Sequence, residues 1–184
     1  MQLVQPSHDH LASYTAALER GWHPDNLRPE SAQEELAHIH ANASAFIASM
    51  DDREAKGPPV TLPDGSSANR LPGFRRWMWD GEFCGSISLR WQAGTPELPA
   101  YCLGHIGYAV VPWKQRRGLA KAALAQLLPE AKLRGLPHVE ITTDPENMAS
   151  QQVILANGGI LVERFVKAPQ YGGKPGLRFH IVLA

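Results

Sequence analysis

The stretch from Cys102 to Arg134 changes its hydrophobic period within a few residues, and this limits the possible folds more than any other feature. Cys102 to Val111 reads as an apolar strand that stops at Pro112. From Arg117 to Arg134 the apolar residues Ala120, Leu124, Leu127, Leu128 and Ala131 recur at helical spacing, and Gly135 closes the run. A further strand, His138 to Thr142, follows directly. Pro129 lies inside the helical pattern, where it removes a backbone donor, and is expected to kink or split the helix near Leu128.

The remaining elements can be placed around this unit. Met1 to Val4 is a short strand ended by Pro6. A helix capped by Ser7 runs to about Arg20, and Ser31 with Glu34 has the form of a capping box for a helix carrying Leu36, Ile39, Ala43, Phe46 and Ile47. From 51 to 72, Pro58, Pro59, Pro63, Pro72, Gly57 and Gly65 break every period, so this segment is an irregular loop. Phe74 to Trp79 and Phe83 to Trp91 form a hairpin about Asp80-Gly81. A loop, 92 to 99, leads into the central strand. After His138 to Thr142 come a helix from Asn147 to Ala156, a stop at Asn157-Gly158-Gly159, and strands Ile160 to Val166 and Leu177 to Leu183 around a glycine-rich loop at Tyr171. The order is βααβββαβαββ. Strands that run consecutively and then alternate with helices predict an α/β (α+β) fold: a single domain over 1–184, with a mixed sheet covered by helices on both faces.

Bulk properties narrow the functions. Eighteen basic residues balance eighteen acidic ones, so no global field draws the chain to nucleic acid or an anionic membrane. No window holds about 18 consecutive apolar residues, and the N-terminus lacks a signal peptide's basic start and apolar run, so a cytoplasmic protein is expected. Cys84 and Cys102 read as small hydrophobic thiols. His8 with His10, and His38 with His40, face different directions on a helix, and no metal is expected. Trp77, Trp79 and Trp91 read as core or cleft walls.

With no global field, any bound anion must be held locally. Gln115-Arg116-Arg117-Gly118-Leu119-Ala120 stands where a strand gives way to a helix. A helix start leaves backbone N–H groups without intrahelical partners and carries partial positive charge, which suits a phosphate. Gly118 lets the backbone approach closely, and Lys114, Arg116, Arg117 and Lys121 add charge. Neither G-x-x-x-x-G-K-[ST] nor G-x-G-x-x-G occurs, so the fingerprints of triphosphate and dinucleotide sites are missing.

Gln115 to Ala120 matches Q/R-x-x-G-x-G/A, the signature of the GNAT N-acetyltransferase superfamily, and Val110-Val111-Pro112 resembles that family's V-x-P. The element order is similar too, so the resemblance covers nearly the whole chain. His105-Ile106-Gly107-Tyr108, Asn147-Met148-Ala149-Ser150 and Asn157-Gly158-Gly159 resemble a bacterial subgroup of acetyltransferases without an agreed substrate. The resemblance implies a mostly antiparallel sheet whose fourth and fifth strands splay apart, with acetyl-CoA between them. Its pantetheine would pair with the backbone of Tyr108, Ala109 and Val110, and its pyrophosphate would sit on Gln115, Arg116, Arg117, Gly118, Leu119 and Ala120. Asn147 and Ser150 would contact the pantetheine or the leaving thiol, although Asn147 also reads as a plain helix cap.

The implied reaction transfers acetyl to a primary amine of a small-molecule or peptide acceptor, by direct attack in a ternary complex. The acceptor would be shaped by the first two helices, the loop from Gly57 to Pro72 and the hairpin at Tyr171, and the protein would form a homodimer. One position departs from the pattern: Ile154 stands where many relatives carry a tyrosine acid, leaving Asn147, Ser150, Tyr171 or water. The base is open between His105, Glu82, Glu97 and a water chain. The alternative is an acyl-CoA-binding regulatory module with weak or no catalysis.

Overall fold

A computed structural model describes residues 1–183. Four α-helices and ten strands alternate as β1 (Gln2–Val4), α1 (His8–Glu19), α2 (Ser31–Ser49), β2 (Asp51–Asp52), β3 (Val60–Thr61), β4 (Ser67–Ala68), β5 (Gly73–Trp79), β6 (Phe83–Arg90), β7 (Ile106–Val110), α3 (Leu119–Lys132), β8 (His138–Thr143), α4 (Met148–Leu155), β9 (Ile160–Val166) and β10 (Pro175–Val182). One sheet runs β1-β5-β6-β7 with β2 beside β5, and a second runs β8-β10-β9. Every ladder is antiparallel.

The pleat divides each strand between two cores. Phe74 and Met78 of β5, with Ile87 and Leu89 of β6, pack beneath α3 on Leu124 and Leu127 and continue to Val139, Ile141 and Phe179 of the second sheet. The opposite face is aromatic: Trp77 stacks on Tyr14 of α1 with centroids 4.4 Å apart, and Trp22, Phe46 and Phe83 close around them. Helices therefore cover both faces, as the sequence predicts. Gly85 serves the bend where β6 meets both neighbours. Its φ is +150°, and a Cβ there would lie 2.3 Å from the Ala109 carbonyl oxygen.

Several local expectations change. Pro129 does not split α3, which runs through to Lys132. The kink falls instead in α2 at Asn42 (φ −163°, ψ 94°), whose Oδ1 accepts the Ala45 N–H at 2.9 Å and restarts the helix. The capping box at Ser31 does not form, because the N-cap is Glu30 and the buried Ser31 hydroxyl has no partner. The 51–72 segment is ordered by β2 on β5 and by the β3–β4 hairpin. The central strand is shorter than expected, beginning at Ile106.

Candidate active site

β7 and β8 are joined by α3 but share no ladder; they meet at one point. The His105 N–H donates to the Glu140 carbonyl at 2.7 Å, and the Glu140 N–H donates to His105 Nδ1 at 3.0 Å. Beyond that point β7 has β6 on one side and an open edge on the other. The Arg90 N–H bonds the His105 carbonyl and the Val111 N–H bonds the Cys84 carbonyl. Antiparallel alternation then turns the polar backbone groups of Gly107 and Ala109 toward β6, and those of Ile106, Tyr108 and Val110 toward the opening. Tyr108 and Val110 thus present the groups expected of them. Ala109, expected alongside them, has its N–H and carbonyl turned to Ser86.

Two of the open-edge carbonyls are already engaged. Asn26, in the loop between α1 and α2, donates from Nδ2 to the Tyr108 carbonyl at 3.3 Å, and Gln115 Nε2 donates to that of Val110 at 3.3 Å. The edge leads straight into the basic turn. There Arg116 (φ +61°) and Gly118 (φ +73°) both take the left-handed conformation, so α3 begins at Leu119, two residues later than its period suggests. This alternation of hand gathers neighbouring N–H groups into a nest. The first α-type bond runs from the Ala122 N–H to the Gly118 carbonyl, and the backbone N–H groups from Arg116 to Lys121 have no acceptor among the described residues. Arg116, Arg117 and Gly118 are exposed, while Leu119 and Ala120 are half-buried at the helix start.

Lys114 does not join them. It is buried at 5% exposure, donating to Asp80 at 2.6 Å and pairing with Glu82 at 2.7 Å. Burial opposes its charge, yet these two carboxylates hold its pKa above the ordinary lysine value. The same pairing engages Glu82. Trp113 has Arg20 over its ring at 3.7 Å.

Across the opening, Asn147 caps α4 by accepting the Ser150 N–H at 3.0 Å. The Tyr108 side chain reaches over from β7, and its hydroxyl lies 2.8 Å from Ser150 Oγ. Burial pushes the Tyr108 hydroxyl up to about 12, with the Ser150 bond working the other way, so it stays protonated at neutral pH. Ile154 is fully buried in the core and faces no cleft. His105 is also buried, and its Nδ1 lone pair is taken by Glu140. Burial, then the nearby His138 and Arg90, push its pKa down to about 4, and its buried Nε2 has no hydrogen-bond partner among the described residues. His105 therefore stands at the hinge of the opening, not in it.

On the α1–α2 side a cleft of about 550 Å³ is lined by the 24–28 loop, α2, the 58–63 and 69–75 stretches, β6, and Tyr101 to Leu103 with Tyr171. Of the elements expected to shape an acceptor, α2, the 57–72 loop and Tyr171 line this cleft, and α1 does not. Tyr171 donates its hydroxyl to the Tyr101 carbonyl, which ties the last hairpin to the cleft rim. Beneath it, Glu35 accepts from the Tyr14 hydroxyl and from Arg75 at 2.9 Å. The sequence reading missed Asp25 and Asn26, which sit where the cleft meets the open edge of β7. Their only signal was a polar turn after Pro24, common to many surface loops.

A family model described as "Acetyltransferase (GNAT) domain" matches residues 2–160. Among solved structures, the microcin C7 self-immunity acetyltransferase in complex with acetyl-CoA and AMP is similar at 15% identity and TM-score 0.59, covering 98% of this chain and 91% of its own. The ribosomal L7/L12 α-N-protein acetyltransferase in complex with coenzyme A matches at 15% identity and TM-score 0.60, covering 98% and 93%. A spermidine N-acetyltransferase variant from Vibrio cholerae matches at 13% identity and TM-score 0.59, covering 100% and 95%. No curated protein sequence matches the chain significantly.

Proposed function

This chain belongs to the GNAT family of acetyltransferases, and from that premise we propose that it moves the acetyl group of acetyl-CoA to the primary amine of an acceptor held in the α1–α2 cleft. The observation that carries the reading is the continuity of the open β7 edge with the 116–121 nest. One path offers backbone groups spaced for an amide-bearing arm and ends on converging N–H donors for a diphosphate. Arg116 and Arg117 add exposed charge at that end. A cytoplasmic location, where acetyl-CoA is made and used, fits this reading. The expected homodimer is supported by β9, an edge strand that exposes Ile160, Val162 and Val166.

In this reading the free amine attacks the thioester carbonyl carbon, and a tetrahedral intermediate forms with its charge on oxygen. An N–H on the open edge, that of Val110 or Tyr108, faces that oxygen. The C–S bond then breaks and the thiolate takes a proton. Ser150 is our candidate donor: its hydroxyl lies on the β7–α4 opening and is hydrogen-bonded to Tyr108, which can resupply the proton. This pair answers the absence of a tyrosine at Ile154. The amine's proton leaves through water, with the Asp25 carboxylate at the mouth of the cleft as the acceptor we favour.

Acetyl-CoA at millimolar concentration should raise the melting temperature, and thiol release with an amine panel should follow. Absence of the thermal shift refutes the cofactor assignment. A thermal shift without thiol release from any amine points to the alternative, an acyl-CoA-binding regulatory module.

A further inference from the structure

Four arginines line the acceptor cleft: Arg28, Arg70, Arg75 and Arg90. Three have carboxylates. Arg28 pairs with Glu34 at 2.5 Å, Arg75 with Glu35 at 2.9 Å, and Arg70 stands 3.7 Å from Asp52. Arg90 differs. It is half-buried at the end of β6, and its one side-chain bond among the described residues runs from Nη2 to Ser88 Oγ at 3.1 Å. No carboxylate lies within ion-pairing distance of it among those residues. Removing a guanidinium from water without a counter-charge is costly, and elsewhere in the cleft the chain avoids that cost.

Arg90 also stands close to the chemistry. Its Nη2 lies over Gly107 of β7, where an added Cβ would be 3.3 Å away. It therefore projects from the cleft floor beside the open edge. A complementary charge lines the same cleft. Asp25 has no cation paired with it among the described residues; its Oδ1 accepts the Leu27 N–H at 2.8 Å, and its neighbour Asn26 touches the Tyr108 carbonyl. Tyr171 lies within reach of both. Burial raises its pKa, as do Cys102 and, less, Asp25 and Asp64, while Arg90 lowers it. The cleft thus holds one unanswered cation and one unanswered anion, both near the site of transfer.

We propose that the acceptor carries an oxyanion, a carboxylate or a phosphate, a few bonds from its reactive amine, and that Arg90 with Ser88 binds this group while the amine lies toward Asp25. A planar guanidinium suits either oxyanion through two parallel hydrogen bonds. The acceptor class is then amino acids, aminoalkyl phosphates and their relatives; polyamines, and protein N-termini with neutral flanks, are excluded. This inference rests on the acetyltransferase reading above and narrows its acceptor.

The test compares matched pairs that differ in the anion alone: L-amino acids against their carboxamides, and O-phosphoethanolamine against ethanolamine. Thiol release from acetyl-CoA gives kcat/KM for each, and thermal shift gives binding without turnover. We expect the wild type to prefer the anionic member by about tenfold to a hundredfold, the worth of a charge-assisted contact. The first pair reports a carboxylate site and the second a phosphate site. In Arg90→Gln the preference should collapse toward unity, chiefly through KM, and Arg90→Lys should keep part of it. A wild type that turns over carboxamides or ethanolamine as well as their anionic partners overturns the inference and leaves the acetyltransferase reading standing. So does a preference unchanged in Arg90→Gln. If no amine is turned over, anion-dependent thermal stabilisation that is lost in Arg90→Gln still supports the inference, and its absence in the wild type overturns it. Loss of acetyl-CoA stabilisation in the wild type would instead count against the cofactor assignment.

Discussion

Gly118 and Gly135 bracket α3 and allow the nest to be tested against a built-in control. Both lie in the left-handed region, at φ +73° and +78°, both are exposed, and an added Cβ meets no protein atom within 4 Å at either. Alanine at either site therefore costs the apoprotein only the left-handed strain, about 1–2 kcal/mol. For a chain of this size that lowers the melting temperature by roughly 2–8 °C, and the two variants should match. They part on adding cofactor. Gly118 stands within the nest that would hold the pyrophosphate, whereas Gly135 lies beyond the far end of the helix. Losing a single charge-assisted hydrogen bond costs about 1.5–3 kcal/mol, so acetyl-CoA affinity should fall at least about tenfold in Gly118→Ala and stay within about twofold in Gly135→Ala. Isothermal titration of both variants, with thermal melts of the apoproteins, decides the matter. Equal affinity losses, or none in either, would mean that the nest does not hold the cofactor.

Removing the Ser150 hydroxyl (Ser150→Ala) should lower kcat by about tenfold to a hundredfold with little change in acetyl-CoA affinity. Tyr108→Phe should do less, since Ser150 keeps its own proton, and an unchanged kcat in Ser150→Ala would dismiss the proposed acid. Asn26→Ala frees the Tyr108 carbonyl that the cofactor arm would use, so acetyl-CoA should bind up to about fivefold tighter; equal or weaker binding would contradict that path. His105 gives a pH signature. Its pKa falls from 6.5 in the unfolded chain to about 4 in the fold. Between those values only the unfolded state takes the proton, so stability is held above pH 6.5 and lost as pH drops toward 4. The full difference is on the order of 3 kcal/mol. His105→Asn keeps an acceptor near Nδ1 without the titration, so urea melts from pH 7 to 4.5 should fall less steeply for the variant than for the wild type. Parallel slopes would refute it.

The parts legible in the sequence were those governed by a local rule. Period and turn residues located the helices and main strands, and the glycine after a basic pair located the nest. Features that depend on tertiary partners were not legible. Lys114 belongs to the same basic run as Arg116 and Arg117, and only the fold of the β5–β6 hairpin brings Asp80 and Glu82 to it. The parity that separates Tyr108 and Val110 from Ala109 is set by register against β6, which strand alternation alone leaves open. Pro129 illustrates a rule overridden: only a short stretch of α3 follows it, and the packing of Leu124, Leu127 and Ala131 in the core holds the helix across it. Asn42 shows the reverse, a good helical period interrupted by a side chain that caps from within.

His105 carries the most instructive change of role. Within the apolar run from Cys102 to Val111 it is one of several candidate bases, beside Glu82, Glu97 and a water chain. In the fold its imidazole takes the Glu140 N–H, a donor that an extending β7–β8 ladder would need for a main-chain carbonyl. The ladder stops there, and Tyr108 and Val110 keep their outward backbone groups without a strand beside them. A protonated ring could not accept that bond, so burial in a site that keeps the imidazole neutral maintains the stop across the physiological pH range. The opening between β7 and β8 thus begins at a side chain bonded to the backbone of the second sheet. Replacing it with an apolar residue of similar size would leave Glu140 an unpaired donor at the very point where the two sheets separate.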